Sequence, residues 1–157
     1  MDSGRLEILR IEINKLIKKN QPDCYGFFVH LYGVSHFCSL LAMRRGLDPE
    51  IAAACGMLHD IYQVTAGEIE KHAAKGAGQA EKILADLNLF DELETETIVT
   101  AVSRHSKKKS VHGDYDELLK DADVMHHCLY DTSFPVNKKE KVRFNKTLQE
   151  LGCISKE

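Results

Sequence analysis

The sequence predicts an all-α protein, a single helical bundle of about six or seven helices. Three observations support this fold class. Apolar residues recur at intervals of three and four along most of the 157 residues, which is the spacing of one face of an α-helix. Helix-capping and helix-stopping residues lie between these runs. No stretch alternates apolar and polar residues as a half-buried β-strand does, and no repeat or low-complexity linker divides the chain.

The predicted helices cover, approximately, residues 4–19, 25–45, 49–59, 65–87, 92–105, 115–129 and 138–151. The first is an amphipathic run of leucines and isoleucines that the polar segment 20–23 interrupts. The second ends at Gly46, because glycine readily adopts the left-handed conformation that terminates helices. Asp48 and Pro49 then suit the N-cap and the first turn of the third helix.

Similar signals bound the later helices. Thr65 and Glu68 have the spacing of a capping box and predict the start of the fourth helix. The fifth helix ends at His105, before the polar segment 106–114, which we expect to form a loop. Pro135 separates the sixth helix from the last.

Composition limits the partners that we expect. A net charge of −3 argues against a nucleic-acid partner bound through a broad basic surface. No apolar run approaches the roughly 20 residues of a membrane span, and the N-terminus has no signal-peptide core, so no membrane partner is expected.

The five cysteines are an odd number without a Cys-x-x-Cys pair. Reduced, buried thiols in a cytoplasmic protein are the simplest interpretation.

Several of the eight histidines fall near the apolar faces of the predicted helices. At 100° per residue, His30, His72 and His105 lie on or beside these faces, whereas His36 lies opposite and should face solvent. Taken singly, each inward histidine is more often a buried side chain satisfied by a hydrogen bond. His59 adds a fourth imidazole, beside Asp60 where the third helix stops. Convergence of four imidazoles from separate helices favours a shared metal centre.

Five segments together resemble the HD-domain superfamily of metal-dependent phosphohydrolases. They are His30-Leu-Tyr-Gly-Val34, Ala54-Cys-Gly-Met-Leu-His-Asp60, His72-Ala-Ala-Lys-Gly-Ala77, Ala101-Val-Ser-Arg-His105 and Asp121-Ala-Asp123. The set is similar to the two-metal form of the family, and to its branch of symmetrical diadenosine tetraphosphate hydrolases. The resemblance covers about residues 27–127. It implies one HD-type domain over 1–157, with a motif-bearing core at about 25–130 and flanking terminal helices.

The resemblance also implies a metal centre. Its ligands would be four histidines and two aspartates: His30, His59, Asp60, His72, His105 and Asp123. Asp60 would bridge two ions and serve as the catalytic residue, with His72 and His105 on the second ion. Mixed imidazole and carboxylate ligands suit one or two divalent ions of Fe, Mn, Zn, Co or Ni. Two such ions can hold a hydroxide and clamp a phosphoryl group.

The last aspartate and the neighbouring histidines leave alternatives open. The apolar stripe of the sixth helix places neither Asp121 nor Asp123 on the core face, and Asp123 is chosen because the family's last aspartate follows an alanine. Asp121 could instead orient a ligating histidine, or either could be a solvated helix charge. His126 is interpreted as a packing or supporting histidine. His127 is expected to be a polar side chain on the surface, with no role in the site.

Basic residues after the fifth helix are candidate phosphate contacts. Lys107 and Lys108 begin a lysine run that could attract phosphate, although such runs are often solvated surface features. Arg104 could hold phosphate through both guanidinium nitrogens. The family often has Gly-Lys soon after the His-Asp doublet, whereas this chain has Tyr62-Gln63 there, so one expected phosphate contact is missing.

The sequence therefore predicts a metal-dependent phosphohydrolase. Its substrate would be a nucleotide or another small phosphate ester, attacked by a metal-bound hydroxide. Two alternatives remain at this point. The first is a di-iron oxygenase of the HD-domain type, which shares the ligand set. The second is a non-catalytic metal-binding HD domain, which ranks last because none of the six expected ligands has been lost.

Overall fold

The computed structural model describes residues 4–21, 23, 25–67 and 70–155, and in these residues it contains eight α-helices and no strand. The helices are Arg5–Asn20 (α1), Tyr25–Arg45 (α2), Pro49–Leu58 (α3), Ile61–Ala66 (α4), His72–Leu87 (α5), Glu92–Arg104 (α6), Asp114–Tyr130 (α7) and Lys141–Glu150 (α8). The all-α prediction is confirmed. The predicted N-cap of α3 is also present, since the Asp48 side chain accepts from the backbone N–H groups at the start of that helix.

The centre of the bundle is the pair α2 and α3. Seven of the ten residues of α3 are buried, most of them alanine or another small side chain. Small residues let the two backbones approach closely: a Cβ added at Gly56 would lie 2.5 Å from the Cα of Ser35. The Ser35 hydroxyl donates to the Ala53 carbonyl across the same contact. Helices α7 and α6 close the core on the other sides.

Helix α2 is the one helix among the described residues whose length and composition would allow it to cross a membrane. The fold accounts for this composition in another way. Six residues of α2 are buried, and α3 and α7 pack against it over most of its length. It also carries His30 towards a polar cavity. We therefore interpret α2 as the core helix of the bundle.

The predicted fourth helix is wrong at its start. The structure divides this region into α4 and α5, because Gly67 adopts a left-handed conformation (φ 68°) and ends α4 after six residues. The Thr65 hydroxyl donates back to the Ile61 carbonyl and to Gln79 instead of capping a helix. Glu68, the other half of the expected capping box, lies outside the described residues. His72 is consequently the first residue of α5 and not a mid-helix residue.

A buried lysine fixes the loop between α6 and α7. The side chain of Lys120 has no exposed surface. Its ammonium group donates to the Ser110 carbonyl at 2.8 Å and to Glu117 at 2.6 Å, and lies 2.7 Å from Nδ1 of His112. A buried charge requires such partners to offset its lost hydration. The loop that carries the lysine run is therefore held to α7.

The thiols divide into two groups. Cys38 and Cys55 are buried and reduced in the core, as expected. Burial, the largest effect on each, raises the pKa of both thiols. Cys128 is half-buried and Cys153 is exposed, so the expectation of buried thiols does not extend to them. Cys24 lies outside the described residues.

Candidate metal centre

Five of the six predicted ligands line one cavity of about 550 Å³, and the sixth, His59, is buried directly behind His30. Four of them stand at helix ends, where the backbone can turn the side chain inward. His59 caps the C-terminus of α3, and Asp60 stands at the N-cap of α4. His72 begins α5, and His105 caps the C-terminus of α6. The remaining two, His30 and Asp123, project from the middle of α2 and α7.

The first histidine pair lies on one side of Asp60. Nε2 of His30 is 3.0 Å from Nε2 of His59, and these atoms lie 3.2 and 3.4 Å from Oδ2 of Asp60. Oδ1 of Asp123 lies 3.8 Å from Nε2 of His30 and 3.9 Å from Nε2 of His59. His30, His59 and Asp60 thus each offer one ligand atom within 4.8 Å of the others, and Asp123 faces the two histidine nitrogens.

The second pair lies on the other side of Asp60. Nε2 of His72 is 3.0 Å from Nε2 of His105. Oδ1 of Asp60 lies 3.4 Å from the former nitrogen and 3.3 Å from the latter. Each carboxylate oxygen of Asp60 thus faces its own histidine pair, which is the arrangement that a bridging carboxylate requires.

These separations suit metal coordination. Metal–ligand bonds of about 2.0–2.2 Å place neighbouring ligand atoms about 2.8–3.6 Å apart in tetrahedral or octahedral geometry, and most of the distances above fall in that range. The carboxylates are also short of partners. Oδ1 of Asp60 and Oδ1 of Asp123 are buried without a hydrogen bond to any residue that the structure describes. Buried polar atoms of this kind require an explanation, and a bound cation supplies one.

The tautomers of two histidines also support a metal site. Nδ1 of His59 donates to the Gly56 carbonyl and Nδ1 of His105 to the Val102 carbonyl, each at 2.7 Å. In the neutral form that binds metal an imidazole has one N–H, so with Nδ1 donating, each of these rings would present the Nε2 lone pair to the cavity. Backbone carbonyls commonly orient ligating histidines in this way.

The charges of the centre are strongly coupled. Burial acts to lower the pKa of His59, but the carboxylates of Asp60 and Asp123 outweigh it and raise this pKa to about 9. Burial acts to raise the pKa of Asp60, yet His59 and the hydrogen-bonding histidines hold it well below the usual range. The pKa of Asp123 is likewise lowered, against burial, by His59 and Lys108. Burial lowers the pKa of His105. Both carboxylates are therefore ionised near neutral pH, as metal ligands must be.

The structure brings Asp123, and not Asp121, to the histidines. Both are buried, contrary to the helix-face expectation. Asp123 lies against the histidines and Lys108, whereas Asp121 lies between α2 and α8. Asp121 accepts from Arg45 and from Arg143, each at 2.6 Å. It therefore fixes two arginines and does not orient a ligating histidine.

Of the three predicted phosphate contacts, the structure places only Lys108 at the cavity. Its ammonium group donates to Oδ2 of Asp123 at 2.5 Å. Lys107 is exposed and does not line the cavity. The Arg104 guanidinium turns away and donates to Asp116 at 3.2 Å. Helix geometry explains this difference, since a residue adjacent to the inward His105 must project from another face.

Two further histidines belong to the surroundings of the centre. His126 is buried, stands edge-on to His30 and lies 3.2 Å from the Val29 carbonyl. Burial and nearby His30 lower its pKa to about 4. The ring of His126 fits because Gly33 has no side chain. A Cβ at that position would lie 2.2 Å from the ring, which explains the glycine three residues after His30. His127 lines the cavity, although helix periodicity offered no reason to place it there.

Comparison with known proteins connects this geometry to a family. The profile of the HD domain family matches residues 27–127. The chain is 31% identical over 153 residues to Ribonuclease Y of Clostridium kluyveri, covering 94% of this chain and 27% of that protein. It is 32% identical over 112 residues to Ribonuclease Y of Clostridium botulinum strain Hall, covering 69% and 19%.

A third relative is Ribonuclease Y of Rhodopirellula baltica, which is 31% identical over 127 residues, or 80% of this chain and 22% of that protein. The chain thus spans about a quarter of the length of these curated relatives. No solved structure matches it significantly.

Proposed function

The chain belongs to the HD domain family, and from that premise we propose that it is a metal-dependent phosphohydrolase acting on a nucleotide or another small phosphate ester. One observation carries the proposal. The two oxygens of Asp60 face separate histidine pairs at 3.2–3.4 Å, inside a cavity large enough for a small phosphate ester. Phosphoryl transfer at a two-metal centre requires such a bridging ligand.

The proposed metal ligands fall into two groups around Asp60. His30, His59 and Asp123 would hold an ion on one side, and His72 with His105 would hold another on the opposite side. Bound divalent cations acidify water and offset charge on phosphoryl oxygens. Asp60 would keep the two positions at a fixed separation.

Other cavity residues would bind the substrate. Lys108 lies at the cavity beside Asp123, its one ionic partner in the described part of the chain, and its ammonium group can turn towards a phosphate. Phe27 supplies an apolar wall, whereas Gln63 and Ser106 add hydrogen-bonding groups. A cavity with one apolar wall and a few polar groups suits a small organic phosphate.

The test is a panel of phosphorylated substrates assayed with Mn²⁺, Co²⁺, Ni²⁺, Zn²⁺ and Fe²⁺ after chelation. Metal-dependent release of phosphate or nucleotide is expected, together with loss of activity in Asp60→Asn. His36→Ala is the matched control, because His36 is exposed and faces away from the cavity. An inert panel at two bound ions per chain would contradict the proposal. Two irons with a mixed-valence signal and oxygen consumption would favour the oxygenase alternative instead.

A second substrate class comes from the relatives. Their name, Ribonuclease Y, gives RNA as what those proteins act on, so we propose RNA phosphodiesters as the alternative substrate. This runs against our expectation, from the net charge, that the protein has no nucleic-acid partner. Cleavage of a single-stranded RNA oligonucleotide, compared with hydrolysis of mononucleotides under the same conditions, distinguishes the two classes.

A further inference from the structure

His127 stands at the rim of the centre, one helical turn after Asp123 on α7. Its Nε2 lies 3.6 Å from Oδ1 of Asp123. Its ring is nearly parallel to that of His30, with centroids 5.5 Å apart and an interplanar angle of 18°. One ligand atom from each of these three residues lies within 4.8 Å of the others. The side chain is 47% exposed, so the group opens to the cavity.

Glu140 holds the His127 ring in this orientation. Nδ1 of His127 lies 3.1 Å from a carboxylate oxygen of Glu140, just before α8. When Nδ1–H donates to this carboxylate, the lone pair of Nε2 is directed towards Asp123. Carboxylates support ligating histidines in metal sites by the same contact.

The oxygen that His127 faces is itself short of a partner. Among the described residues, Oδ1 of Asp123 has no hydrogen-bond partner, and the residue is only 4% exposed. Lys108 contacts the other oxygen, Oδ2, and so leaves Oδ1 to the histidines. A nitrogen lone pair and a carboxylate oxygen are both acceptors and cannot hydrogen-bond to each other. A cation between the two atoms, which lie 3.6 Å apart, would satisfy both.

We propose that His127 is an additional metal ligand, which joins His30 and Asp123 on the ion at that side of the centre, and that Glu140 is its positioning residue. The resemblance to the HD superfamily does not include this position. The inference rests on the proposal that the centre binds metal, but it is independent of the reaction and the substrate. The proposal adds a second ligand from α7 to this side of the centre. Through Glu140 it also connects this side to the segment between α7 and α8.

Co²⁺ binding to the full chain tests the inference without any activity assay. Calorimetric titration gives the affinity and stoichiometry, and the visible absorption of bound Co²⁺ reports its coordination. For His127→Ala we expect at least about tenfold weaker binding of one of the two ions, with a changed Co²⁺ spectrum. Glu140→Gln should weaken the same ion by a smaller factor. His36→Ala, an exposed histidine on α2, should match the wild type.

The outcomes separate this inference from the proposed function. If the wild type binds no Co²⁺, both fall. If the wild type binds two ions and His127→Ala gives the same affinity and spectrum, only the role of His127 is overturned. If His127→Ala weakens one ion but Glu140→Gln does not, His127 remains a ligand and Glu140 loses its role. Unchanged thermal unfolding in chelator shows that each variant is folded.

Discussion

Two bound metal ions should each add a separate contribution to the stability of this protein. The reason is that each carboxylate oxygen of Asp60 faces its own histidine pair. The perturbation is removal of divalent metal by chelation, followed by return of Mn²⁺ or Co²⁺ at about 100 times the dissociation constant. An ion that binds only the folded state at this concentration adds about 2.7 kcal/mol to the free energy of unfolding. Two ions would add about 5.4 kcal/mol by the same relation.

The expected shift in melting temperature follows from the size of the chain. For a domain of 150–250 residues, each kcal/mol corresponds to about 2–4 °C, so two ions should raise the melting temperature by roughly 11–22 °C. His72→Ala removes a candidate ligand from the Oδ1 side of Asp60. This variant should lose at least half of the metal-induced shift, while His36→Ala should keep all of it.

The assay is differential scanning calorimetry with and without metal, and the compared quantity is the shift within each variant. This comparison removes any effect of the substitution on the metal-free fold. Elemental analysis of the same samples should give one ion fewer in His72→Ala than in the wild type. A full shift and unchanged metal content in His72→Ala would refute the two-sided arrangement and leave His72 with a packing role.

Three further predictions concern packing, pH and the cavity lysine. Gly56→Ala should destabilise the protein by about 1–3 kcal/mol in urea unfolding, because the added Cβ meets the backbone of α2; Gly78→Ala, with nothing within 4 Å, is the matched control and should be neutral or stabilising. The pKa of His59 is raised to about 9, above the unfolded value of 6.5, so its contribution to stability is complete below pH 6.5. After chelation, the free energy of unfolding should therefore fall as pH rises from about 6.5 to about 9, and a flat profile would contradict this. Lys108→Met should raise the affinity for metal, because Asp123 loses a competing cation, and should raise KM for the phosphorylated substrate; Lys107→Met should change neither quantity.

The fold class and most helix boundaries could be predicted from the sequence, because they depend on local signals. The periodicity of α2 gave its limits, and Asp48 with Pro49 marked the start of α3. The start of α5 could not be found in this way. Gly67 and Thr65 are compatible with several local conformations, and only packing of α4 on α5 selects the observed turn.

The roles of His127 and Lys120 could not be predicted from the sequence for a different reason. His127 looks like a surface histidine because its partners, His30 and Glu140, lie 97 and 13 positions away in the chain. Lys120 resembles an ordinary helix-surface lysine until the loop before α7 folds over it. The contact of His127 with His30 is long-range, and the contacts of Lys120 depend on the course of an irregular loop, so helix periodicity carries no information about either.

The sequence by itself determined that this protein is a helical bundle with inward histidines and a His-Asp doublet where a helix stops. These properties follow from residue spacing and from local capping chemistry. Only the tertiary structure decided that Asp60 stands between two histidine pairs, that Asp123 and not Asp121 joins them, and that Arg104 turns away. The reason is geometric, since the position of a side chain in space depends on how its helix crosses its neighbours, and close contacts such as that of Gly56 with α2 fix those crossings.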